Sequence, residues 1–121
     1  GHDSIMDPWF PLGRGDMLAA AQLALFLCHM SGYEEISDVL DLITTNAAKT
    51  LRITDTYGIE EGKPADFLIL DVPSVFEALR LIPARLHVFK SGREVASTTP
   101  AKSVLKRNAN DEETEVTYRV E

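Results

Sequence analysis

One segment constrains the fold of this chain more than any other: MLAAAQLALFLCHM, from Met17 to Met30. Asp16 before it is a good N-cap and Gly32 after it is a good stop, so the segment predicts a helix. Its residues are apolar on nearly every face, a pattern typical of a helix that packs on several sides. The segment is shorter than the ~20 residues of a membrane span, so we expect a soluble protein.

Two more helices are predicted in the first half of the chain. From Glu34 to Ile43 the apolar residues recur at helical spacing, and acidic residues occupy the first turn. A short third helix is predicted from Asn46 to Leu51. Cys28, the single cysteine, lies within the first predicted helix and has no partner for an internal disulfide, so we expect a small buried residue.

From Asp55 onward the pattern changes to strands and turns. Ala65–Asp71, with the sequence ADFLILD, is a short apolar run bounded by turn residues. Such a run is typical of a strand that is buried on both faces. Ser74 to Leu81 predicts one amphipathic helix, which ends before Pro83.

The remaining strands are predicted as a hairpin and a terminal strand. Arg85–Lys90 and Arg93–Thr98 flank the turn residues Ser91-Gly92, which predicts the hairpin. The charged segment 108–115 is expected to be loose, before a last strand over 116–120. Helices followed by strands indicate either an α+β fold or two separate layers.

Charge and cysteine content exclude several classes of function. The net charge of −7 argues against nucleic acid and anionic membranes as partners, because both select basic surfaces. The first residues lack the basic and apolar regions of a signal peptide, so none is expected. With one cysteine and no metal-type cysteine spacing, a reducing, cytoplasmic location is expected.

The first sixteen residues, GHDSIMDPWFPLGRGD, form a polar, turn-rich loop before the apolar helix. Asp7 is expected to organise this loop through an Asx-turn. Together with TTNAAKTL, YGIEEGKPADFLILD and VFKSGREVAS, the elements GHD and DPWFPLG resemble, in order, the C-terminal part of the amidohydrolase superfamily. The DPWFPLG element is narrower, and it resembles the cytosine deaminase branch and its triazine-hydrolysing relatives.

The resemblance implies an α/β fold built around a metal-dependent (β/α)8 barrel. Residues 1–54 would supply the last strand end and outer helices of the barrel, and residues 55–121 part of a small β-sandwich. One divalent metal ion, iron or zinc, would lie at the C-terminal ends of the barrel strands. Such barrels gather their active sites there, in the loops that follow the strands.

Three residues of the loop are candidate site residues by this resemblance. Asp3 would be both a metal ligand and the catalytic proton shuttle. Ser4 and Trp9 would contact the substrate. Ser4 departs from the cytosine deaminase pattern, which has a second aspartate here; a hydroxyl can hydrogen-bond a ring edge but carries no charge.

The predicted function is hydrolytic deamination of a pyrimidine-type ring, cytosine to uracil and ammonia, by a full-length enzyme of which this chain is a C-terminal portion. The alternatives are a triazine N-alkyl amidohydrolase and a non-catalytic module derived from an amidohydrolase. The expected partners are a small cyclic nitrogenous substrate and the remaining barrel segment, in a homo-oligomer. With Asp3 as its only expected metal ligand, the isolated chain is expected to be inactive.

Overall fold

The described residues form four helices and five strands. The computed structural model describes residues 4–30, 32–106 and 113–116. The helices are α1 (Met17–Leu27), α2 (Tyr33–Ile43), α3 (Thr45–Leu51) and α4 (Val75–Leu81). The strands are β1 (Phe67–Leu70), β2 (Arg85–Lys90), β3 (Arg93–Ser97), β4 (Ser103–Lys106) and β5 (Glu113–Val116). Helices therefore precede most of the strands, as predicted.

Helix α1 begins where predicted and ends earlier. The Asp16 side chain accepts hydrogen bonds from the backbone N–H groups of Leu18 and Ala19, which confirms it as the N-cap. The predicted end at Met30 is wrong, because the chain leaves the helix after Leu27 and His29 adopts a left-handed conformation with φ of 55°.

Two predictions near this helix end are therefore corrected. Cys28 is exposed rather than buried, because it follows the last helical turn instead of lying within the helix. Gly32 does not stop α1; it is the N-cap of α2, and its N–H donates to Glu35 Oε2 at 2.8 Å. The predicted bounds of α2 and α3 differ from the observed bounds by one residue each.

The buried core joins the first helices to α4. Leu18 and Ala21 of α1, Val39 of α2 and Leu79 of α4 form one cluster of buried side chains. Gln22 of α1 also donates from Nε2 to the backbone oxygen of Leu79 at 2.8 Å. Because this bond satisfies a carbonyl in the last turn of α4, it ties α1 to α4 by a polar contact as well.

Only one side of α1 is covered within the described structure. Leu18 and Ala21 are buried, whereas Leu23, Phe26 and Leu27 are 45%, 70% and 71% exposed. Part of the apolar surface of α1 is therefore not covered by the described residues. No helix in the described ranges is long and apolar enough to cross a lipid bilayer.

Strands β1, β2 and β3 form an antiparallel sheet in that order. The predicted hairpin is confirmed: Ser91 and Gly92 link β2 to β3 with φ values of 51° and 75°. Two left-handed residues are typical of a type I′ turn, whose twist matches that of the strands. Asp66 supports the turn, because its side chain accepts from Ser91 N–H at 2.6 Å and pairs with Lys90.

The prediction for the first strand differs from the structure. The prediction that the 65–71 strand is buried on both faces is wrong, since Leu68 and Ile69 of β1 are 49% and 42% exposed. Successive side chains of a strand point to opposite faces, so both faces of β1 are partly open, and within the described chain only its end residue Leu70 packs against the core.

Strand β4 was not expected from its sequence. It pairs with β5, which begins at Glu113, inside the segment that was expected to be loose. The part of the predicted last strand beyond Val116 lies outside the described residues. The predicted division of the chain at residue 54 stays a prediction; α4, from the second part, packs on α1 and α2.

Candidate functional site

The polar loop before α1 is organised by its own side chains and backbone. We call residues 4–15 the site loop. Asp7 Oδ1 accepts hydrogen bonds from the backbone N–H groups of Trp9 at 3.0 Å and Phe10 at 2.7 Å. These two bonds confirm the predicted role of Asp7 as the organiser of a turn. The turn carries Trp9 at its tip.

The end of the site loop folds back onto its beginning. Gly13 is buried, its N–H donates to Phe10 O at 3.0 Å, and its carbonyl accepts from Met6 N–H at 3.2 Å. A Cβ atom built on Gly13 would lie 2.0 Å from the carbonyl oxygen of Ser4. Gly13 therefore has direct backbone contact with Ser4, nine positions earlier in the chain.

The three candidate site residues have different surroundings. Ser4 is half-buried against Gly13, whereas the Trp9 side chain is 91% exposed. Asp3, the predicted metal ligand, lies outside the described residues. The structure thus brings Ser4 and Trp9 onto one loop, and the roles assigned to all three residues stay predictions.

An ion pair joins the end of the site loop to the sheet. Arg85, at the start of β2, donates from Nη2 to Asp16 Oδ1 at 2.5 Å and from Nη1 to the carbonyl of Pro83 at 3.1 Å. Asp16 Oδ2 also accepts from Arg14 Nη2 at 3.3 Å. Asp16 is thus both the cap of α1 and the link between the loop and β2.

The pKa of Asp16 lies below its ordinary value of 3.8. Burial acts to raise the pKa, but the hydrogen bond and charge of Arg85 and the backbone N–H groups of Ala19 and Leu18 together outweigh burial. The carboxylate therefore stays charged, and it holds both its cap and its ion pair at neutral pH.

The Asp16→Asn variant should lower the free energy of unfolding by about 1 kcal/mol at neutral pH, since Asn still caps a helix but loses the ion pair. Folding lowers the pKa of Asp16, so the charged carboxylate stabilises the folded state at any pH above the unfolded pKa. This stabilisation is lost as the pH falls through the folded pKa. Urea unfolding is measured from pH 7 down to pH ~2.5, and the difference in the free energy of unfolding between Asp16→Asn and wild type should vanish at the lowest pH. Asp55→Asn, at an exposed position, is the control; a pH-independent difference contradicts this prediction.

An apolar groove of about 210 Å³ lies between the site loop and α1. Its walls are Phe10, Leu12, Arg14, Ala19, Ala20, Gln22, Leu23 and Phe26. Arg14 is the only charged residue among them, so the groove by itself carries no acid–base chemistry.

The described ranges contain no group of three or more His, Cys, Asp or Glu side chains that could hold a metal ion. Residues 4–30, 32–106 and 113–116 therefore do not form a metal centre on their own. Any ion at the site loop would need ligands from other residues.

Comparison with known proteins agrees with this architecture. The model of the Amidohydrolase family matches residues 1–101. The chain is 35% identical over 91 residues to N-isopropylammelide isopropyl amidohydrolase of Pseudomonas sp. (strain ADP). The aligned segment covers 75% of this chain and 23% of that protein.

Solved structures similar to the chain include those of two enzymes. One is 5-methylcytosine deaminase from Klebsiella pneumoniae liganded with phosphonocytosine, with 39% identity, a TM-score of 0.77, and coverage of 82% of this chain and 24% of that one. The other is N-isopropylammelide isopropylaminohydrolase from Burkholderia multivorans ATCC 17616, with 31% identity, a TM-score of 0.71, and coverage of 77% and 24%. The chain thus spans about a quarter of the length of these relatives. Since the family match covers most of its residues, the chain belongs to the amidohydrolase family.

Proposed function

We propose that the full-length protein containing this chain is a metal-dependent hydrolase that removes an amine from a small nitrogenous ring, with cytosine as the first candidate. The observation that carries the proposal is the family match, because it includes the site loop as well as the helices and the sheet. The similarity to 5-methylcytosine deaminase, at 39% identity, favours a pyrimidine ring.

In this proposal residues 1–54 are the last part of a (β/α)8 barrel and residues 55–121 belong to a small β-sandwich. The exposed side chains of α1 support this, since Phe26 and Leu27 are 70% and 71% exposed. An apolar surface of this kind favours a covering partner. The remaining barrel segment of the same protein is the proposed cover.

The proposed site uses Asp3, Ser4 and Trp9. Asp3 would hold a divalent ion, iron or zinc, together with ligands from outside the described residues. When bound, such an ion lowers the pKa of water and so supplies hydroxide near neutral pH. The Asp3 carboxylate would carry the proton that the attacking water loses to the leaving amine. Ser4 would accept a hydrogen bond from an N–H group at the ring edge, and Trp9 would cover one face of the ring.

A second candidate reaction is the removal of an alkylamine from a triazine ring. It is favoured by the 35% and 31% identity to the two N-isopropylammelide hydrolases. Both candidates are hydrolytic and use the same proposed ligands, so the leaving amine distinguishes them.

The experiment is a product assay on the full-length protein loaded with iron or with zinc. Cytosine should yield uracil and ammonia, measured by chromatography and by a coupled ammonia assay. Release of isopropylamine from N-isopropylammelide, with no turnover of cytosine, selects the second candidate. No product from either substrate contradicts both reactions and favours a non-catalytic module.

The Ser4→Asp variant should shift preference toward cytosine, because a carboxylate pairs more strongly with the N–H groups of a ring than a hydroxyl does. We expect the ratio of kcat/KM for cytosine to that for N-isopropylammelide to rise about 10-fold. Ser37→Asp, at an exposed position of α2, is the matched control. A ratio that is the same in both variants would contradict substrate contact by Ser4.

A further inference from the structure

Gly13 is the residue at which the site loop closes on itself. The glycine is buried, its N–H donates a hydrogen bond to the carbonyl of Phe10, and its carbonyl accepts one from the N–H of Met6. A Cβ on Gly13 would lie 2.0 Å from the carbonyl oxygen of Ser4 and 3.0 Å from its carbonyl carbon. The facing atoms are backbone, so they cannot rotate away as a flexible side chain would.

Space, and not backbone conformation, requires glycine at this position. Gly15 and Gly62 have φ of 70° and 85°, in the left-handed region that favours glycine, whereas Gly13 does not have a positive φ. A left-handed φ therefore does not require glycine here, but the Cβ atom of an alanine could not fit beside Ser4. Real Cβ atoms approach other atoms no closer than 3.0 Å, so Ser4 and residue 13 would have to move apart by about 1 Å.

We infer that Gly13 is a positioning residue: by lacking a side chain it fixes where Ser4 meets the substrate ring. This inference rests on the proposed function, in which Ser4 contacts the ring. A displacement of about 1 Å in a group that orients a substrate lowers the rate about 100-fold. The Gly13→Ala variant should therefore lower kcat/KM for cytosine by about 100-fold.

The test compares two substrates, because a ratio of kcat/KM values does not depend on how much of the enzyme is folded. The full-length enzyme is assayed with cytosine and N-isopropylammelide, the pair of substrates whose ratio of kcat/KM values Ser4 is proposed to influence. In Gly13→Ala the ratio of the two values should change by about 10-fold, as expected for Ser4→Asp, because both substitutions alter the contact between residue 4 and the ring. Gly62→Ala is the control, since it strains a left-handed glycine but meets nothing within 4 Å; its ratio should equal that of wild type.

Each other outcome overturns the inference in a recognisable way. If Gly13→Ala retains the kcat/KM of wild type, the position of Ser4 does not depend on the absence of a side chain at residue 13. An equal fall for both substrates, with the ratio unchanged, means that Gly13 supports folding and does not position Ser4. A wild-type enzyme that is inactive on both rings contradicts the proposed function itself.

A second pair of variants covers the case in which Gly13→Ala does not fold. Met6, in the same loop, is a left-handed residue with φ of 53°, so Met6→Gly relieves an unfavourable conformation. The ratio of the two kcat/KM values is then compared between the single variant Met6→Gly and the double variant that carries both Met6→Gly and Gly13→Ala. The same 10-fold change is expected, and an unchanged ratio overturns the inference.

Discussion

Replacement of Asp3 by alanine in the full-length protein should lower kcat/KM by about 10³-fold, within the range that a proton-transferring group contributes. The variant should also lose bound metal during dialysis against a chelator, since a carboxylate ligand is removed. Both losses are expected because the proposed site uses the same carboxylate to hold the ion and to carry the proton to the leaving amine.

The matched control is Asp38→Ala, which removes an exposed carboxylate from α2. It should retain wild-type turnover and metal content. The metal content of each variant is measured by mass spectrometry, and turnover is measured both before and after metal is added back. If Asp3→Ala retains the metal and the turnover of wild type, the assignment of this residue is wrong.

Local patterns predicted most of the fold. The apolar spacing of α2, the Ser91-Gly92 turn and the Asp16 cap each depend on residues a few positions apart, and each is confirmed. The Asx-turn at Asp7 is likewise local. These features follow from helix periodicity, turn chemistry and capping, which act within about one turn of the chain.

The features that were missed depend on contacts between distant residues. Arg85 pairs with Asp16 across 69 positions, and nothing in its own strand pattern shows that partner. The space beside Gly13 is set by Ser4, and spacing alone does not show a backbone contact across a loop. Cys28 was misplaced because the segment stays apolar after Leu27, so composition gives no signal where the helix ends.

Leu79 belongs to the buried cluster against which the end of β1 also packs. It is 2% exposed on α4, and it belongs to the same buried cluster as Leu18, Ala21 and Val39. Leu70, at the end of β1, packs against this cluster. The described chain buries only six hydrophobic residues, so this cluster is a large part of its core. Truncation of the Leu79 side chain therefore weakens the cluster that the helices and the end of β1 share.

The Leu79→Ala variant should lower the free energy of unfolding by about 2–5 kcal/mol, the range for buried leucines replaced by alanine. A groove of about 270 Å³ borders Leu79, between α1, α2 and α4. Because side chains beside this groove can relax into the vacated space, we expect a value in the lower half of that range.

Leu81→Ala is the control on the same helix, since Leu81 is 40% exposed and leaves no cavity. Both substitutions exchange leucine for alanine, which favours a helix at least as well, so helix propensity changes both variants in the same direction. Urea unfolding followed by far-ultraviolet circular dichroism should therefore separate the two by more than about 1 kcal/mol. Equal destabilisation of the two variants would contradict a larger contribution of the buried Leu79 side chain to stability.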